Sequence, residues 1–489
     1  MEVAKEKLQS WLEIRNSNPK AIIVNRKEDL QIYFAKNKIW YTGDSDELQD
    51  FYKQIEGKET TFWASVPTTG LEIKKSHSGL PKLIANTLTN IVIDNYNGIE
   101  SDNTIKLERW EEIAKENNFD KMLWKILNET IYLGDGAIKY SYDDTISNLP
   151  IIEWYSGEKV DYVYQRGRLT ELVFKTFYEK DKKKYLLKEH RGYGYVRYEL
   201  YDEDKIVPLS TIDKLSKLKN IVFDNKVMLA VPFMIDENSK FSGRGASKFD
   251  GKYDAFDSLD EILSQWIEAI RLGKTVRYIP ENLIPKDAET GETLAPNSFD
   301  NQYILTESDM REGSNPKIQT EQANIPSDKY VQTYMTYLDL CLQGLISPST
   351  LGIDTKKVQD ANAKYERQME KTTLYTRQGI IEALTIFLTK TVNGILKFDE
   401  LLKKKIPGED IELDIKFGEY DTPSFDSQIK TISDAKNGGI MSIDTSIKEL
   451  YGDSKTEEWI NKEILRIKQE QGIIEMNEPA INQDLDNKE

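Results

Sequence analysis

The chain has 489 residues and a mass of 56.5 kDa, more than one hydrophobic core usually organises, so its length predicts about three structural units. Hydrophobic residues make up 39% and aromatic residues 10% of the sequence, which excludes a wholly disordered chain. The formal net charge is −17, from 83 acidic and 66 basic side chains. This excess of acid disfavours tight, salt-sensitive binding to nucleic acid.

The sequence offers few residues for covalent cross-links or soft metal sites. Cys341 is its single cysteine, which excludes an intramolecular disulfide, and with only His77 and His190 zinc centres are nearly excluded. Magnesium or calcium sites built from carboxylates alone stay open. The N-terminus lacks an apolar signal core and no window approaches about 18 consecutive apolar residues, so we expect a soluble protein made inside the cell, without a membrane span.

The N-terminal part of the chain shows helical spacing. In 80–93 apolar residues recur every three or four positions behind a proline in the first turn, and further helices are predicted at 107–116 and 120–133. From Ala137 to about Pro232 short segments rich in Tyr and Val alternate apolar with polar residues, which predicts a meander of about six antiparallel strands. The RGR at 166–168 is predicted to be a hairpin tip.

Long helices are predicted next. Apolar residues recur at helical intervals in 249–272, and again from Ser327, a predicted N-cap, to 345. Between them, 273–326 contains five prolines and is interrupted too often for long helices. A helix is predicted at 361–397, followed by a strand at 411–417 and small helices within 424–471.

The glycines and histidines of the sequence match no catalytic or phosphate-binding motif. The glycine-containing segments 133–140 and 242–249 lack the spacing of a phosphate loop, so turns with positive φ are the simpler interpretation. His77 and His190 match no catalytic motif and are predicted to be surface residues. Cys341 lies on an apolar helix stripe, which favours a small core residue over a reactive thiolate.

Acidic pairs on the predicted helix 249–272, such as Asp257 with Asp260 and Glu261 with Glu268, could hold a metal ion, but a solvated helix face is the simpler interpretation. No enzymatic constellation emerges. Helices with narrow apolar stripes cannot bury themselves in one small domain, so a homo-oligomer packed through helices is predicted.

Several segments, in this order, resemble the portal proteins of long-tailed bacteriophages. They are KIWYTGDSDELQDFY at 38–52, GLPKLIANTLTNIVI at 79–93, YLGDGAIKYSYD at 132–143, GRGASKFDGKYDAFDSLDEILSQW at 243–266, and GLISPSTLGID with NAKYERQMEKTTLYTRQ within 344–378. Each motif is loose, and the resemblance lies in their shared order over about residues 35–400.

The resemblance implies an α+β, mainly helical portal fold assembled as a ring. Its parts would be a wing of N-terminal helices and β meander at 1–248, stem helices at 249–272 and 327–345, an α/β clip at 273–326, a tunnel loop at 346–360, a long wing helix with a return strand at 361–423, a helical crown at 424–475 and an acidic flexible tail at 476–489.

The resemblance also implies a function. A homo-dodecamer at one capsid vertex of the virion would form the channel for packaging and ejecting double-stranded DNA, after assembly in the host cytoplasm. Its partners would be the major capsid protein, the scaffolding protein, the terminase large subunit and the head-tail adaptor. No catalytic activity, cofactor, metal or membrane is expected.

Two sets of residues are candidates for this function. Lys356 and Lys357 in the tunnel loop are candidates to touch DNA phosphates, with an ordinary solvated pair as the alternative. The second set is assigned to the oligomer interface or to packing within the stem, which periodicity cannot distinguish: Tyr253, Leu263, Trp266, Tyr334, Cys341 and Leu345.

Two other functions compete with the portal hypothesis. One is a hydrolase or nuclease that uses acidic residues and a divalent metal on a helical scaffold. The other is a filamentous scaffold without a channel.

Overall fold

The structure is a computed structural model, and it describes residues 29–55, 60–66, 73–223, 227–273, 276–280, 303–306, 319–321, 325–353, 363–418, 432–433, 436, 441–451 and 457–470. The chain divides into two units, Met1–Gly418 and Glu419–Glu489. Lys356, Lys357, the predicted tail at 476–489 and most of the predicted clip lie outside the described residues.

The N-terminal region is helical, as predicted. Helices α1 (Leu30–Thr42) and α2 (Ser45–Gln54) start behind aspartates whose side chains accept hydrogen bonds from first-turn amides. Helix α3 (Leu80–Ile93), strand β1 (Tyr96–Glu100), and helices α4 (Thr104–Glu116) and α5 (Phe119–Leu133) follow. The prediction for 80–93 is confirmed to the residue, and α4 and α5 begin three and one residues earlier than expected.

The strand-rich region contains eleven strands among its described residues. They are β2 (Asp135–Ser141), β3 (Ile151–Ser156), β4 (Val160–Gln165), β5 (Arg168–Lys180), β6 (Lys183–Gly192), β7 (Tyr195–Asp202), β8 (Lys205–Val207), β9 (Ile221–Val222), β10 (Ala230–Met234), β11 (Asp236–Glu237) and β12 (Gly245–Ala246). Short 3-10 turns lie at Gly157–Lys159, Leu209–Thr211 and Asp213–Leu215.

The predicted antiparallel meander is confirmed for β4 to β8, which form a sheet in chain order with β9 added beside β7. Its predicted hairpin tip is also present, because Arg166 and Gly167 join β4 to β5 with φ values of 51° and 76°. The prediction of one continuous meander was wrong at its ends, since β2 pairs with both β3 and β10 in a separate three-stranded sheet.

A buried ionic cluster joins the two sheets. Lys139 on β2 donates to Glu189 Oε2 on β6 at 2.6 Å, and Arg191 Nη1 donates to the carbonyl of Leu229, beside β10, at 3.0 Å. Burial alone would raise the pKa of Glu189, but Arg191 and Lys139 bring it below its ordinary value. The charges are tolerated in the interior because each is paired.

His190 corrects the expectation of a surface histidine. Its side chain is only 12% exposed. Glu171 on β5 lies 2.6 Å from Nδ1, and Glu199 on β7 lies 3.4 Å from Nε2. Two carboxylates on neighbouring strands therefore cover the ring.

The two glycine-containing segments 133–140 and 242–249 pack against each other. Arg244 forms a two-pronged ion pair with Asp135, with Nε to Oδ2 at 2.7 Å and Nη2 to Oδ1 at 2.8 Å. The same guanidinium donates to the carbonyls of Val160 and Gly157, both at 2.8 Å. Because Asp135 is fully buried, its pairing is required for the fold. This arrangement, which we call the Asp135–Arg244 clamp, gives both segments a structural role.

Two of the clamp's glycines are required by close backbone approach. A Cβ on Gly245 would collide with the carbonyl of Gly134, and a Cβ on Gly134 would collide with the backbone of Gly245. Gly134 also has a φ of 110°, which side chains rarely adopt.

The long predicted helices are present with shifted ends. Helix α6 (Tyr253–Leu272) begins four residues late, because a turn with a hydrogen bond from Lys252 N to Phe249 O precedes it. Strands β13 (Val276–Pro280), β14 (Tyr303–Thr306) and β15 (Gln319–Glu321) lead to α7 (Ser327–Leu342). Ser327 is the first helical residue and not the N-cap, and α7 ends before Gly344, whose φ is 77°.

The rest of the first unit contains a 3-10 turn at Ser349–Leu351, helix α8 (Ala363–Leu402) and strand β16 (Asp414–Phe417), which pairs antiparallel with β1. The strand is shorter than predicted, because the amide and carbonyl of Ile411 bond to the Asn393 side chain on α8. In the second unit, α9 (Ile443–Tyr451) and α10 (Glu457–Glu470) pack around Ile447, Ile460 and Ile464.

One core joins the N-terminal helices, the three-stranded sheet and α6 to α8. Its largest fully buried side chains are aromatic: Trp40, Trp63, Tyr33, Tyr140, Phe34, Phe233, Phe249, Phe256 and Phe387. The part of α8 from Lys371 to Leu402 is long and apolar enough to cross a membrane by length and composition, and half of the qualifying window is buried inside this fold. A core helix passes the same test.

Replacing Arg244 with Met should lower the free energy of unfolding by about 3–5 kcal/mol, because Asp135 would stay buried without its partner. Chemical denaturation followed by tryptophan fluorescence measures the loss. Arg168→Met is the control, since Arg168 is exposed at the start of β5 and its replacement should change stability by less than about 0.5 kcal/mol. Equal losses in both variants would contradict the clamp.

Candidate functional site: the paired helices

Helices α6 and α7 form an antiparallel pair, which we call the α6–α7 pair. At one end Lys252 Nζ, just before α6, donates to the carbonyls of Leu340 at 3.0 Å and Gln343 at 2.6 Å, which belong to the end of α7. At the other end Ile325, just before α7, packs over Gly273 so closely that a Cβ there would collide with it. The helices therefore run in opposite directions along their length.

Aromatic rings fill the middle of the α6–α7 pair. The Trp266 ring stacks on Tyr330, with centroids 6.2 Å apart and planes 4° apart, and contacts the Tyr334 ring at 6.3 Å. Such contacts are worth about 0.5–1.5 kcal/mol beyond the buried area.

A small sheet lies between α6 and α7 in the chain. Strand β13 starts four residues after α6 ends, and pairs parallel with β14 and antiparallel with β15. Strand β15 ends shortly before α7 begins. The sheet therefore belongs to the end of the pair where Gly273 and Ile325 meet.

The opposite end of α6 is anchored by two carboxylates. Asp257 accepts hydrogen bonds from the backbone amides of Phe62 at 2.9 Å and Trp63 at 3.3 Å. Asp260 is fully buried and accepts from Trp63 Nε1 at 3.2 Å and from Ser78 N at 2.8 Å. Burial raises the pKa of Asp257. The expectation of a solvated acidic face was wrong for these two residues.

His77 also belongs to this anchor and is not at the surface. Its Nδ1 lies 2.7 Å from Asp260 Oδ2, and its side chain is only 4% exposed. The ring packs against Trp40 and lies so close to Gly43 that a Cβ at Gly43 would collide with it. We call Asp257, Asp260 and the segments that bind them, 61–65 and 75–78, the α6 anchor.

Lys75 stabilises segment 61–65 of the α6 anchor. Lys75 Nζ donates to the carbonyls of Phe62, Trp63 at 3.0 Å and Ser65 at 2.8 Å. Burial lowers the pKa of Lys75 to about 8, against the opposing effect of Asp257. The lysine therefore holds the turn whose amides face Asp257.

Five of the six residues predicted from helical spacing have identified partners inside this chain. Tyr253 donates its hydroxyl proton to Asn37 Oδ1 and packs on Trp40. Leu263, Trp266 and Tyr334 are half-buried, whereas Cys341 and Leu345 are buried in the main core. Tyr253, Cys341 and Leu345 therefore pack in or against the main core, whereas Trp266 and Tyr334 contact each other within the pair. A role of these residues between copies stays a prediction.

The anchor residues were missed, although one signal was present in the sequence. Asp260 follows Phe256 by four residues and precedes Leu263 by three, so it falls on the apolar stripe of α6 and not on the opposite face. An acid on such a stripe predicts a buried carboxylate with donors around it. Its donors lie more than 180 residues away, and no local pattern identifies them.

Across the described ranges, no group of three or more His, Cys, Asp or Glu side chains has an arrangement that could hold a metal ion. The donors to Asp257 and Asp260 all belong to the chain itself.

Comparisons with known proteins give structural neighbours. No family model matches the sequence, and no curated protein matches it. Chains in the neck of the native gene transfer agent particle, computed with C12 symmetry, are similar with a TM-score of 0.39 and 14% identity, over 77% of this chain and 91% of that one. The neck of the empty particle, computed with C6 symmetry, gives 0.37 and 13% over 76% and 89%. The virion of the native particle gives 0.38 and 12% over 74% and 86%.

Cys341 should be nearly inert in the folded chain. Burial, with a contribution from Asp260, raises the pKa of its thiol to about 12, so very little thiolate forms at pH 8. We expect a thiol reagent to modify it at least about a hundredfold more slowly than in the unfolded chain. Thr336→Cys places an exposed thiol on the same helix as a control, and it should react at once. Rapid loss of both thiols in folded protein would contradict the packing of α7.

Proposed function

We propose that this chain is a phage portal protein, a homo-oligomeric ring at one capsid vertex. The ring would form the channel for DNA packaging and ejection, and would dock the terminase motor and then the head-tail adaptor. The chain itself would be no enzyme, because the terminase supplies the energy for packaging.

The observation that carries this proposal is the α6–α7 pair with β13 to β15 between its helices. The resemblance assigns 249–272 and 327–345 to the stem and 273–326 to the clip, and the pair and its sheet occupy those positions. Local pattern and tertiary arrangement therefore support the same assignment.

Assembly with further copies is supported by exposed apolar residues on both helices of the α6–α7 pair. Ile270 is 52% and Leu272 is 56% exposed in the last turn of α6, and Leu340 is 44% exposed on α7. By contrast, the buried residues of α6 all lie in its first twelve positions: Phe256, Leu259, Asp260 and Ser264. A neighbouring copy in a ring would cover what this chain leaves open.

The proposed tunnel loop starts from a fixed base. Ser347 N donates to Thr373 Oγ1 on α8 at 2.9 Å, and the hydroxyls of Ser347 and Thr350 lie 2.7 Å apart. Lys356 and Lys357 follow within ten residues, outside the described part. A loop anchored next to the stem would present this basic pair to DNA in the channel.

The competing hydrolase has no equivalent support. Its candidate metal ligands on α6 included Asp257 and Asp260, and each already accepts hydrogen bonds from several groups of the chain. A carboxylate that is occupied by hydrogen bonds from its own chain has a structural role.

Ring formation is the first test. The full chain should form a large homo-oligomer by size-exclusion chromatography with light scattering, and a ring with a central hole in negative-stain images. The double variant Ile270→Asp with Leu272→Asp should reduce it to small species with unchanged circular dichroism, because charge replaces exposed apolar contacts. Gln265→Asp, on an exposed polar position of α6, is the matched control. A monomeric wild-type chain under assembly conditions would defeat the proposal.

The loop lysines give a second test. Replacing Lys356 and Lys357 with Ala should leave the ring intact and alter DNA packaging or retention, because a positive pair next to phosphates is lost. Packaging assays with the variant ring measure this. Lys404→Ala with Lys405→Ala removes an adjacent pair elsewhere and serves as the control. Unchanged packaging would make the loop lysines ordinary solvated residues.

A further inference from the structure

The outer face of the six-stranded sheet carries an exposed apolar row. The opposite face is the buried one, with Leu172 and Phe174 in one cluster and Leu187 and Leu200 in another. Side chains alternate between faces along a strand, so the residues directly adjacent to these buried ones point to the outer face. Cross-strand pairing aligns four of them in one row across β5 to β8: Phe177, Leu186, Tyr201 and Ile206. We call them the outer row.

The two residues at the ends of the outer row are exposed to solvent. Phe177 is 69% and Ile206 is 66% exposed, whereas Leu186 and Tyr201 between them are half-buried. A single exposed apolar residue needs no explanation, but four in register across four strands form a continuous patch. A sheet face of this kind is typical of a surface that packs against another sheet.

Charges border the outer row in an ordered way. On the same face, two residues further along each strand, lie Lys188 on β6 and Glu199 on β7, which are cross-strand neighbours. Lys188 Nζ lies 4.3 Å from the centre of the Tyr201 ring, and within the described ranges it forms no ion pair. On the other side of the row, Lys184 on β6 is the cross-strand neighbour of Glu179 on β5, and the turn that contains Glu203 and Asp204 follows β7. The outer face therefore carries Lys184 and Lys188 on β6 and Glu199 on β7, where Glu199 also pairs with Arg197 at 3.5 Å and accepts from the Tyr201 hydroxyl at 2.7 Å.

The outer row and the neighbouring Lys188–Glu199 pair are complementary to the same residues in a second copy. Suppose that two copies of the sheet face each other across a two-fold axis parallel to their strands. The strands of the second copy then lie in the reverse order across the interface, and each cross-strand row faces the same row of the partner. Phe177 then faces the partner's Ile206, and Leu186 faces the partner's Tyr201. Lys188 faces the partner's Glu199, and the same contact recurs on the other side of the axis, as in any two-fold interface.

We propose that the outer row is a docking surface for a second copy of this chain, through face-to-face packing of the two sheets about a two-fold axis. The strands of the two sheets would run within about 30° of each other, the usual geometry of aligned sheets. Four strands span about 19 Å, so one such contact belongs to the weak, transient class. The contact does not rest on the proposed ring, since it uses neither α6 nor α7.

The test uses charge reversal in the full chain at about 50 mM salt, where exposed charges are least screened. Mass photometry and sedimentation velocity should show a species of twice the mass of the main one, which high salt dissociates. Lys188→Glu and Glu199→Lys should each weaken this association by about tenfold or more, because both symmetry-related pairs become repulsive. An equimolar mixture of the two variants should restore it, since each then meets the opposite charge.

Mixing separates a contact between chains from an effect within one chain, because each variant keeps its own altered strand pair in the mixture. Lys121→Glu, an exposed change of the same charge on α5, should have no effect. Absence of the doubled species in wild type overturns the proposal, as do single variants that associate normally or folded variants that stay apart when mixed. The number of subunits in any ring should be unchanged in all these variants, so a failed ring and a failed outer row give different results.

Discussion

The structure depends on the burial of acidic side chains at the base of α6. An ionised carboxylate can leave water only where hydrogen-bond donors replace its hydration, and Asp257 and Asp260 lie too close to the core to reach solvent freely. Their donors come from 61–65 and 75–78, which must therefore lie against α6. This constraint explains why a polar segment before α3 becomes part of the core, and why both Trp63 and His77 are buried in it.

A helix fixed at one end can remain incompletely covered at the other. Helix α6 is about 30 Å long, and its buried residues end at Ser264, after which it is held mainly by α7 through Trp266 and Tyr330. Ile270 and Leu272 in its last turn are then 52% and 56% exposed. Two helices alone cannot bury both of their faces, so repetition of the pair around an axis is the simplest way to complete this packing.

Local pattern predicted the elements well and their long-range partners poorly. Helix α3 matched its prediction because a proline, a regular apolar stripe and flanking polar residues all indicate the same helix. The role of Asp135 could not be predicted, because Arg244 lies 109 residues away and no short-range spacing relates them. His77 was misjudged for the same reason. Its neighbours in sequence are polar, whereas its neighbours in space are Trp40 and Asp260. Spacing identified Trp266 and Tyr334, but only the structure showed that they contact each other.

The acidic excess of the chain has a physical consequence for the proposed channel. The buried charged residues of the described part are balanced, with four acids and four bases: Asp135, Glu189, Asp260 and Asp399 against Lys139, Arg191, Arg244 and Arg377. Burial therefore removes none of the net charge of −17, which is left to exposed positions and to the rest of the chain. A ring of such subunits would repel phosphates wherever this charge faces the lumen. DNA that must slide through a channel is better served by weak repulsion with a few basic contacts than by a continuous basic wall, which would hold it by many phosphate contacts at once.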